Sequence, residues 1–578
     1  MALFQGGAPT NAAKKALPFL CLAFAVPLAA QEWDDAPVME AEGITVVGTS
    51  ETTQRITIVD RAEIEKSGAG DLARLLEDTA GLGTTRYGPY GSQGDINVRG
   101  FDSERVAFLI NGIPANSTGT GEFDYNQIDL ASVERVEVIY GGSDTKYNVS
   151  GAIGGVINII TVKRQKPGLR LRTTVSNTSS LPGRYYEPNR GDRGARMEDL
   201  LDNQKVTIQA EQGLDAFSWT ASAFTNRAEN HFLYTDPYDR TRRKEGNEVR
   251  DAGASVSLIR EFPGLTRVIA AGNFYYADKN VPLHGYSRIS AAERDYAARE
   301  NILVEMPEAF HENFSMEASL SHSWQETDYR GPSDHSRQHE HSFGLINRWG
   351  YYPLEALTLR WGADYRYALF DDGMFHDRHD GGVYAAAEWS PLEKLLIIAS
   401  LKAAFAGDRA AAVPKLGLLW KATDSLSVKN NYFRSFKFPD LSDLYYAGAG
   451  GRGNADLKPE EGWGADLGAE WRKEHASLGA TTFVQWYDNS IHWYSSGSVL
   501  KPQNVGGALF YGADVRGSVT IPFDRGLEKI VFSASFQYME SYLLAYGYHI
   551  DDGKRIPYMP RYSEGGGMEV FWKTGSFA

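Results

Sequence analysis

Apolar and polar residues alternate with a period of two over most of the chain after Leu169. The clearest stretch is Leu357–Tyr367, where one face holds Leu, Trp, Ala and Tyr and the other holds Thr, Arg, Gly and Asp. A run of this length matches one tilted crossing of a bilayer by a β-strand. The same alternation occurs in Val206–Ala210, Phe217–Ala223 and Ile530–Tyr538. The pattern predicts a large antiparallel sheet with an apolar face toward lipid and a polar face toward a lumen.

The segment Asp95–Thr161 has a different pattern, with short apolar runs separated by turn residues. Three of these runs are rich in β-branched or aromatic residues and are bounded by Gly, Asn or Asp, which predicts strands. They are Val106–Ile110, Val133–Ile139 and Gly155–Ile160. The Asn111–Gly112 pair between them is typical of a turn. We therefore expect a compact, strand-rich unit ahead of the large sheet.

Helix signals precede this segment. Arg55–Val59 predicts a strand, and Asp60 followed by Glu63 has the spacing of a capping box, which predicts a short helix. The stretch Asp71–Leu82 places Leu72, Leu75 and Leu76 on one helical face, as expected for a helix that packs on a core.

Composition narrows the class of protein. No run of about 18 apolar residues follows residue 30, which excludes a protein that crosses the membrane with helices. Strands of a membrane barrel need no such run, because their apolar and polar residues alternate. The 578 residues carry a net charge of −15 and a mean hydropathy of −0.38. This charge argues against nucleic acid as a partner. It fits a solvated acidic surface and acidic external loops equally well.

Residues 1–30 have the features of a signal peptide, with Lys14 and Lys15 ahead of the apolar run Ala16–Leu28. The only cysteine, Cys21, lies within this segment. We therefore expect a mature chain without disulfides.

Four ordered motifs in the strand-rich unit resemble the plug domain of TonB-dependent outer-membrane receptors. They are Val98–Gly100, Ile110–Gly112, Val133–Val138 and Gly151–Thr161. Phe433–Trp471 and Asn504–Val515 resemble two signatures of the barrel in the same family. The resemblance implies an all-β, antiparallel membrane β-barrel of about 22 strands in the bacterial cell outer membrane, with an N-terminal α+β plug domain inside it.

The resemblance also implies a division of the chain: residues 1–30 as signal peptide, 31–49 as a periplasmic extension, 50–165 as the plug domain and 166–578 as the barrel. The part after the plug holds about 18 strands of usual length, fewer than the family pattern. We therefore expect an incomplete barrel, with a gap between its first strand and the strand around Gly565–Thr574.

The segment Gly43–Ser50, just ahead of the plug, resembles a TonB box, although an ordinary edge strand would have the same composition. Such a box offers its backbone by strand addition to a TonB-type energy-coupling protein. The expected box residues are Ile44, Thr45, Val46, Val47 and Gly48.

Two arginines of the plug motifs, Arg99 and Arg135, need buried partners if the plug lies inside a barrel. The resemblance implies that they pair with acidic residues of the barrel, whose matching positions here are Asp466 and Asp514. We expect one cluster of all four that locks plug to barrel. The alternative is pairing with plug carboxylates such as Glu134 or Glu137.

The sequence offers few candidates for contact with a ligand. Tyr87 and Tyr90 lie in a region that faces the ligand in the family. His335, His339 and His341 are metal candidates because imidazole pairs suit transition metals, although polar strand and loop residues are the more frequent explanation. The Gly-x-Gly-x-x-Gly match at Gly448–Gly453 lacks the flanking strand and helix of a nucleotide site.

The sequence therefore predicts a receptor that binds a scarce nutrient of the ferric siderophore or cobalamin class at the cell surface and imports it into the periplasm by coupling to TonB. Alternatives are a receptor for another metal chelate, haem or a glycan, and an outer-membrane adhesin or enzyme barrel. The expected partners are the TonB-type protein, the small nutrient and outer-membrane lipid, without nucleic acid, cofactor or catalytic residues.

Overall fold

The computed structural model describes residues 52–80, 82–86, 88–142, 149–161, 167–179, 185–187, 191–194, 200–236, 238–244, 246–264, 266–282, 290–332, 334–448, 451–496, 499–523, 526–544, 553–556, 559–572 and 575–577. The predicted signal peptide, the predicted box Ile44–Gly48 and Tyr87 lie outside these residues.

The N-terminal part contains a five-stranded sheet with the strand order β1-β6-β7-β4-β5, in which only β4 and β7 are parallel neighbours. Its strands and helices, together with the separate hairpin β2–β3, are β1 (Ile56–Asp60), α1 (Arg61–Ser67), α2 (Leu72–Ala80), β2 (Gly83–Arg86), β3 (Gly94–Asn97), β4 (Val106–Ile110), β5 (Ile113–Pro114), β6 (Arg135–Tyr140) and β7 (Gly155–Ile160). The predicted strands β4 and β7 are confirmed. Strand β6 begins later than predicted, because a 3-10 turn at Leu130–Ser132 ends just before it.

The helix predictions are also confirmed. The Asp60 carboxylate accepts a hydrogen bond from the Glu63 N–H at 2.9 Å, and the Glu63 carboxylate accepts one from the Asp60 N–H at 3.2 Å. This reciprocal capping box satisfies two backbone donors at the start of α1. In α2, Leu72, Leu75 and Leu76 are fully buried in the core of the sheet.

The following part of the chain forms an antiparallel sheet of 18 strands, as expected for a large all-β protein. These strands are β11 (Asn203–Gly213), β12 (Phe217–Ala228), β15 (Val249–Glu261), β16 (Arg267–Pro282), β17 (Ser290–Met306), β18 (Phe314–Arg330), β19 (His335–Leu354), β20 (Leu357–Asp371), β21 (Phe375–Leu392), β22 (Leu395–Ala406), β23 (Arg409–Thr423), β24 (Leu426–Lys437), β25 (Glu460–Lys473), β26 (Ala476–Asp488), β29 (Gly507–Pro522), β30 (Leu527–Leu544), β31 (Tyr562–Trp572) and β32 (Gly575–Phe577). The expected gap between the first and last strands stays a prediction.

Further elements flank or cap this sheet. They are β8 (Gly168–Thr178), the hairpins β9–β10 (Tyr185–Glu187, Gly191–Arg193), β13–β14 (Phe232–Thr235, Thr241–Lys244) and β27–β28 (Ile491–Ser496, Val499–Asn504), and helix α3 (Leu441–Tyr445). None of the helices within the described residues is long and apolar enough to cross a membrane.

Strand β20 shows how the alternating pattern is used. Trp361 and Tyr365 on one face are 38% and 41% exposed, whereas Asp364 and Arg366 on the other face line an interior cavity. The two faces divide as the sequence predicts: apolar side chains point outward to lipid and polar ones point inward.

The barrel has a turn end and a loop end. At the turn end, neighbouring strands join by tight connections such as Leu354–Leu357 and Leu392–Leu395. At the loop end lie the hairpins β13–β14 and β27–β28 and helix α3. The connection between β18 and β19 at this end is short, because their pairing continues to Arg330 and His335.

The N-terminal plug lies inside the barrel and shares its main hydrophobic core with the barrel wall. Phe483, Tyr487, Phe510 and Met539 of the wall belong to the same buried cluster as the plug residue Phe101.

Candidate functional site

A cavity of about 430 Å³ lies between the plug and the loop-end part of the barrel wall. Plug segments 91–95 and 117–127 form one side, and strands β16–β19 form most of the other. Its lining includes seven carboxylates that sequence reasoning missed, namely Asp95, Glu122, Asp124, Glu293, Asp295, Glu326 and Glu340. Enclosure by the barrel and by plug apices makes this cavity, the outer cavity, the best candidate for a ligand site.

The outer cavity carries an excess of negative charge. Lys279 is the cation among its lining residues, and its Nζ lies 2.5 Å from Asp295, 3.4 Å from Glu293 and 3.7 Å from Asp124. One ammonium group shared by three carboxylates leaves the cavity acidic. The electrostatic field therefore favours cationic or neutral ligands over anions.

Glu122 is exposed to the cavity yet enclosed by protein. Its carboxylate accepts hydrogen bonds from Gln93 Nε2 at 2.8 and 2.9 Å. Desolvation and then the nearby charge of Asp95 raise the pKa of Glu122 to about 7. Around neutral pH this side chain therefore exists in both forms, one that donates a hydrogen bond and one that only accepts.

Tyr90, a predicted ligand contact, is bound to the barrel wall. Its hydroxyl donates to Asp251 Oδ2 at 3.0 Å, and Asn230 Nδ2 donates to its backbone carbonyl at 2.8 Å. Burial, followed by the charge of Asp251, raises the pKa of Tyr90. Tyr90 thus holds a plug apex against the wall rather than presenting a free hydroxyl to the cavity.

Arg99 occupies a tight two-residue turn between Val98 and Phe101, which bond to each other across it. Arg99 and Gly100 both have positive φ, 51° and 83°, as this turn requires. The turn directs the guanidinium into the wall, where Nη1 lies 3.5 Å from Asp466 Oδ2. Burial lowers the pKa of Arg99, and Asp466 opposes that shift. The structure thus brings together Arg99 and Asp466, two of the four residues of the predicted cluster.

Asp514, another residue of the predicted cluster, forms its ion pair with an arginine outside that cluster. Asp514 forms its ion pair with Arg55 of the plug and also accepts from Gln537 Nε2 at 3.1 Å. The expectation that Arg135 joins this cluster is wrong. Its Nε lies 2.8 Å from Glu137, because residues two apart on β6 share one face of the plug sheet. Arg55, which sequence reasoning missed, takes its place.

A further ion pair between plug and barrel was also missed. Arg105 Nη2 lies 2.7 Å from Glu460 Oε1 and its Nε donates to Oε2 at 2.9 Å, a bidentate contact. Glu460 is fully buried and also accepts from the Ile491 N–H at 2.6 Å. No local signal marks this pair, because its members are 355 residues apart in sequence.

The three histidine candidates lie on β19, and His339 is also one of the residues that line the outer cavity. His335 Nε2 is 2.8 Å from Asp328 Oδ1. His341 shares a face with His339 and hydrogen-bonds His322 at 3.0 Å. Within the described residues, no group of three or more His, Cys, Asp or Glu side chains converges as metal ligands do.

Comparison with known proteins places these features in one family. The model for the TonB-dependent receptor plug domain matches residues 49–156, and the model for the TonB-dependent receptor-like β-barrel matches residues 153–569. The vitamin B12 transporter BtuB of Vibrio vulnificus (strain CMCP6) is 25% identical over 491 residues, which cover 81% of this chain and 73% of the relative. Its counterpart from Vibrio cholerae O1 (strain M66-2) is 27% identical, with 72% and 65% covered.

Solved structures show the same fold. The siderophore receptor PirA of Pseudomonas aeruginosa superposes with a TM-score of 0.65 at 20% identity, covering 90% of this chain and 88% of that one. The ferric enterobactin receptor PfeA (mutant R480A) of P. aeruginosa, solved with enterobactin, superposes with a TM-score of 0.69 at 19% identity, covering 90% and 85%. The chain belongs to the TonB-dependent receptors of the bacterial outer membrane.

Proposed function

We propose that this receptor imports a scarce nutrient of the ferric siderophore or cobalamin class into the periplasm, with energy supplied by a TonB-type protein. The observation that supports this most is the outer cavity, which lies between plug apices and the barrel wall at the loop end of a plug that packs on that wall. A small ligand held there would lie against the element that must move for import. The proposal includes residues 1–30 as signal peptide, 31–49 as periplasmic extension, 50–165 as plug and 166–578 as barrel.

The charge of the outer cavity favours one part of this class. Asp95, Glu122 and Asp124 face it from the plug, and Glu293 and Asp295 from the wall, against Lys279. An anionic ferric catecholate would meet repulsion there, whereas a neutral or cationic corrinoid would not. The cavity chemistry and the two cobalamin transporters among the relatives support the cobalamin class.

A deletion strain tests the nutrient. The full-length gene should restore growth on limiting cyanocobalamin, and purified receptor should bind cyanocobalamin more tightly than ferric enterobactin. Growth restored only on ferric chelates, haem or a glycan would replace the cobalamin proposal with that cargo. Adhesion or hydrolysis without any uptake would contradict the receptor function.

The coupling segment has its own test. Strand addition needs free backbone N–H groups, and Val46→Pro removes one and fixes φ. We expect lost uptake with cargo binding retained. The matched control, Val46→Thr, keeps both the N–H and the β-branched shape and should support normal uptake. Equal uptake by the two variants would remove the box assignment at Ile44–Gly48.

A further inference from the structure

A second cavity of about 170 Å³, the inner cavity, lies between the plug and the barrel wall. On the plug side it is lined by the β4–β5 hairpin, including Asn111 and Ile113. On the wall it is lined by short hydroxyl and amide side chains of β12 and β15–β19, namely Ser222, Ser255, Ser257, Asn273, Asn301, Ser321, Ser323 and Ser342. This surface offers hydrogen bonds to a solute, and charged side chains such as Arg299, Arg348 and Asp364 line the same cavity.

The outer and inner cavities are neighbours along one side of the barrel. Both are lined by the plug residues Ser117 and Gln127, and both use strands β15–β20 as their wall. The outer cavity meets the loop-end parts of these strands, and the inner cavity meets their middle parts. The layer at Ser117 and Gln127 therefore lies between the two spaces.

Two polar contacts close this layer. Arg299 Nη1 of β17 donates to Gln127 Oε1 at 2.7 Å. Glu340 of β19 accepts from Ser117 Oγ at 2.5 Å and from the N–H groups of Thr118 and Gly119 at 2.8 and 3.2 Å. Both wall residues reach the plug with long side chains, so each contact can open by rotation of a side chain without unfolding the plug.

Arg299 has unused hydrogen-bonding capacity at this position. It is 9% exposed, and its Nε and Nη2 have no hydrogen-bond partner within the described residues. Buried donors without partners are unfavourable, and two on one side chain beside a cavity indicate a group that binds transiently there. An amide, carboxylate or hydroxyl oxygen of a passing solute would satisfy them.

We propose that Arg299 and Glu340, with Gln127 and Ser117, form a gate between the outer cavity and an import passage along strands β16–β19. The passage takes a solute rich in hydrogen-bond acceptors, which the free donors of Arg299 receive at the gate. This inference rests on the proposed import function, but the gate itself can be tested without a known cargo.

The test uses full-length receptor in intact cells, where removal of residues 1–30 as signal peptide also removes Cys21, the only cysteine in the sequence. Ser321→Cys reports on the inner cavity, and a membrane-impermeant, positively charged methanethiosulfonate reagent is added outside. Arg299→Ala should speed labelling of that cysteine by about tenfold, because loss of one hydrogen bond from a charged group favours the open gate by that order. The second variant, Gln127→Ala, removes the same contact from the plug side and should act alike.

Arg348→Ala is the matched control. Arg348 is an arginine of β19, the strand that carries Glu340, and it approaches Gly112 O of the plug at 3.5 Å. It lines the inner cavity, away from the gate residues. We expect Arg348→Ala to leave the labelling of Ser321→Cys unchanged. A second reporter cysteine, Gln485→Cys, replaces a buried residue of β26, and we expect it to stay unlabelled in every variant. Unchanged labelling in both gate variants would overturn the proposal, as would faster labelling of Gln485→Cys, since that shows general loosening of the plug. The import function is tested separately from the gate. If the unmodified receptor imports no nutrient while the labelling pattern is as expected, the import function is wrong and the gate stands.

Discussion

Two halves of the interface between plug and barrel differ in their chemistry. The fastened half, on strands β24–β30, presents large buried side chains to the plug: Phe433, Phe483, Tyr487, Phe510 and Met539. The rings of Phe101 and Phe510 are 4.2 Å apart, centroid to centroid. The cavity half, on strands β15–β19, presents polar side chains, mostly serines and asparagines with a few charged residues such as Arg299, and open space separates much of it from the plug. Close packing resists displacement, whereas the cavity half leaves room for a solute.

The chain enters the plug on the fastened half. Thr53 Oγ1 donates to Asn431 Oδ1 at 2.7 Å, and Arg55 pairs with Asp514. A pull on the segment that precedes residue 52 would therefore reach this half first. The difference between the halves suggests a division of labour in which the fastened half receives the pull and the cavity half carries the cargo.

The largest expected change in stability comes from removing an ion pair of the fastened half. Glu460→Ala leaves buried Arg105 with Asp102 as its remaining ion-pair partner and removes the acceptor of the Ile491 N–H, and we expect the plug to be destabilised by about 3 kcal/mol. The urea concentration at which the plug becomes sensitive to protease measures this. Glu317→Ala, which removes an ion-pair partner of Arg348 in the cavity half, is the control and should destabilise the plug less than Glu460→Ala does, because the Arg348–Glu317 pair is more exposed than Glu460. Equal losses would remove the distinction between the halves.

The next largest expected effect is on the passage of cargo through the inner cavity. Ser321→Trp fills the inner cavity and should reduce cyanocobalamin uptake by at least about tenfold, equivalent to 1.4 kcal/mol. Leu320→Trp places the same side chain on the lipid face one residue away, where Leu320 is 61% exposed, and should leave uptake unchanged. Normal uptake with Ser321→Trp, together with normal cargo binding, would exclude this wall as the passage.

A smaller effect sharpens the account of the fastened half. A double-mutant cycle between Arg99→Met and Asp466→Asn should give a coupling energy of about 1 kcal/mol in plug release. The same cycle between Arg135→Met and Asp466→Asn should give about zero, because Arg135 pairs with Glu137. Strong coupling of Arg135 to Asp466 would restore the four-residue lock that the sequence predicts.

The smallest expected effect is a dependence on pH. The raised pKa of Glu122, about 7, means that its carboxyl loses a proton as the pH rises through this value, which makes the outer cavity more negative. Affinity for the cationic aquocobalamin should then rise about two- to threefold between about pH 5.5 and 7.5. Titration calorimetry measures it. Glu122→Gln should remove the rise, and neutral cyanocobalamin should not show it.

The sequence predicts those parts of the molecule that depend on local pattern. The alternation in Leu357–Tyr367 predicts both faces of β20, and the Asp60–Glu63 spacing predicts the start of α1. The resemblance to the receptor family predicts that Arg99 and Asp466 belong to one cluster between plug and barrel. These signals lie within one element or one motif, which is why they can be read without a structure.

The contacts between distant elements could not be predicted in the same way. Arg105 and Glu460 meet only because the plug is inside the barrel, and Arg55 replaces Arg135 because the plug sheet turns one arginine outward and keeps the other beside Glu137. Likewise, Arg299 is one of many alternating charged residues of the strands. Its position at the gate follows from strand register and plug orientation, which no short motif encodes.

The most direct test of the central claim, that cargo passes along the cavity half, is to trap it in transit. A photoactivatable benzoylphenylalanine is placed at Ser321 in the cavity half or at Gln485 in the fastened half, and cells importing cyanocobalamin are irradiated. The account predicts a corrinoid adduct at position 321 that needs an active TonB-type partner, and none at position 485. Adducts at position 485, or equally at both positions, would contradict it.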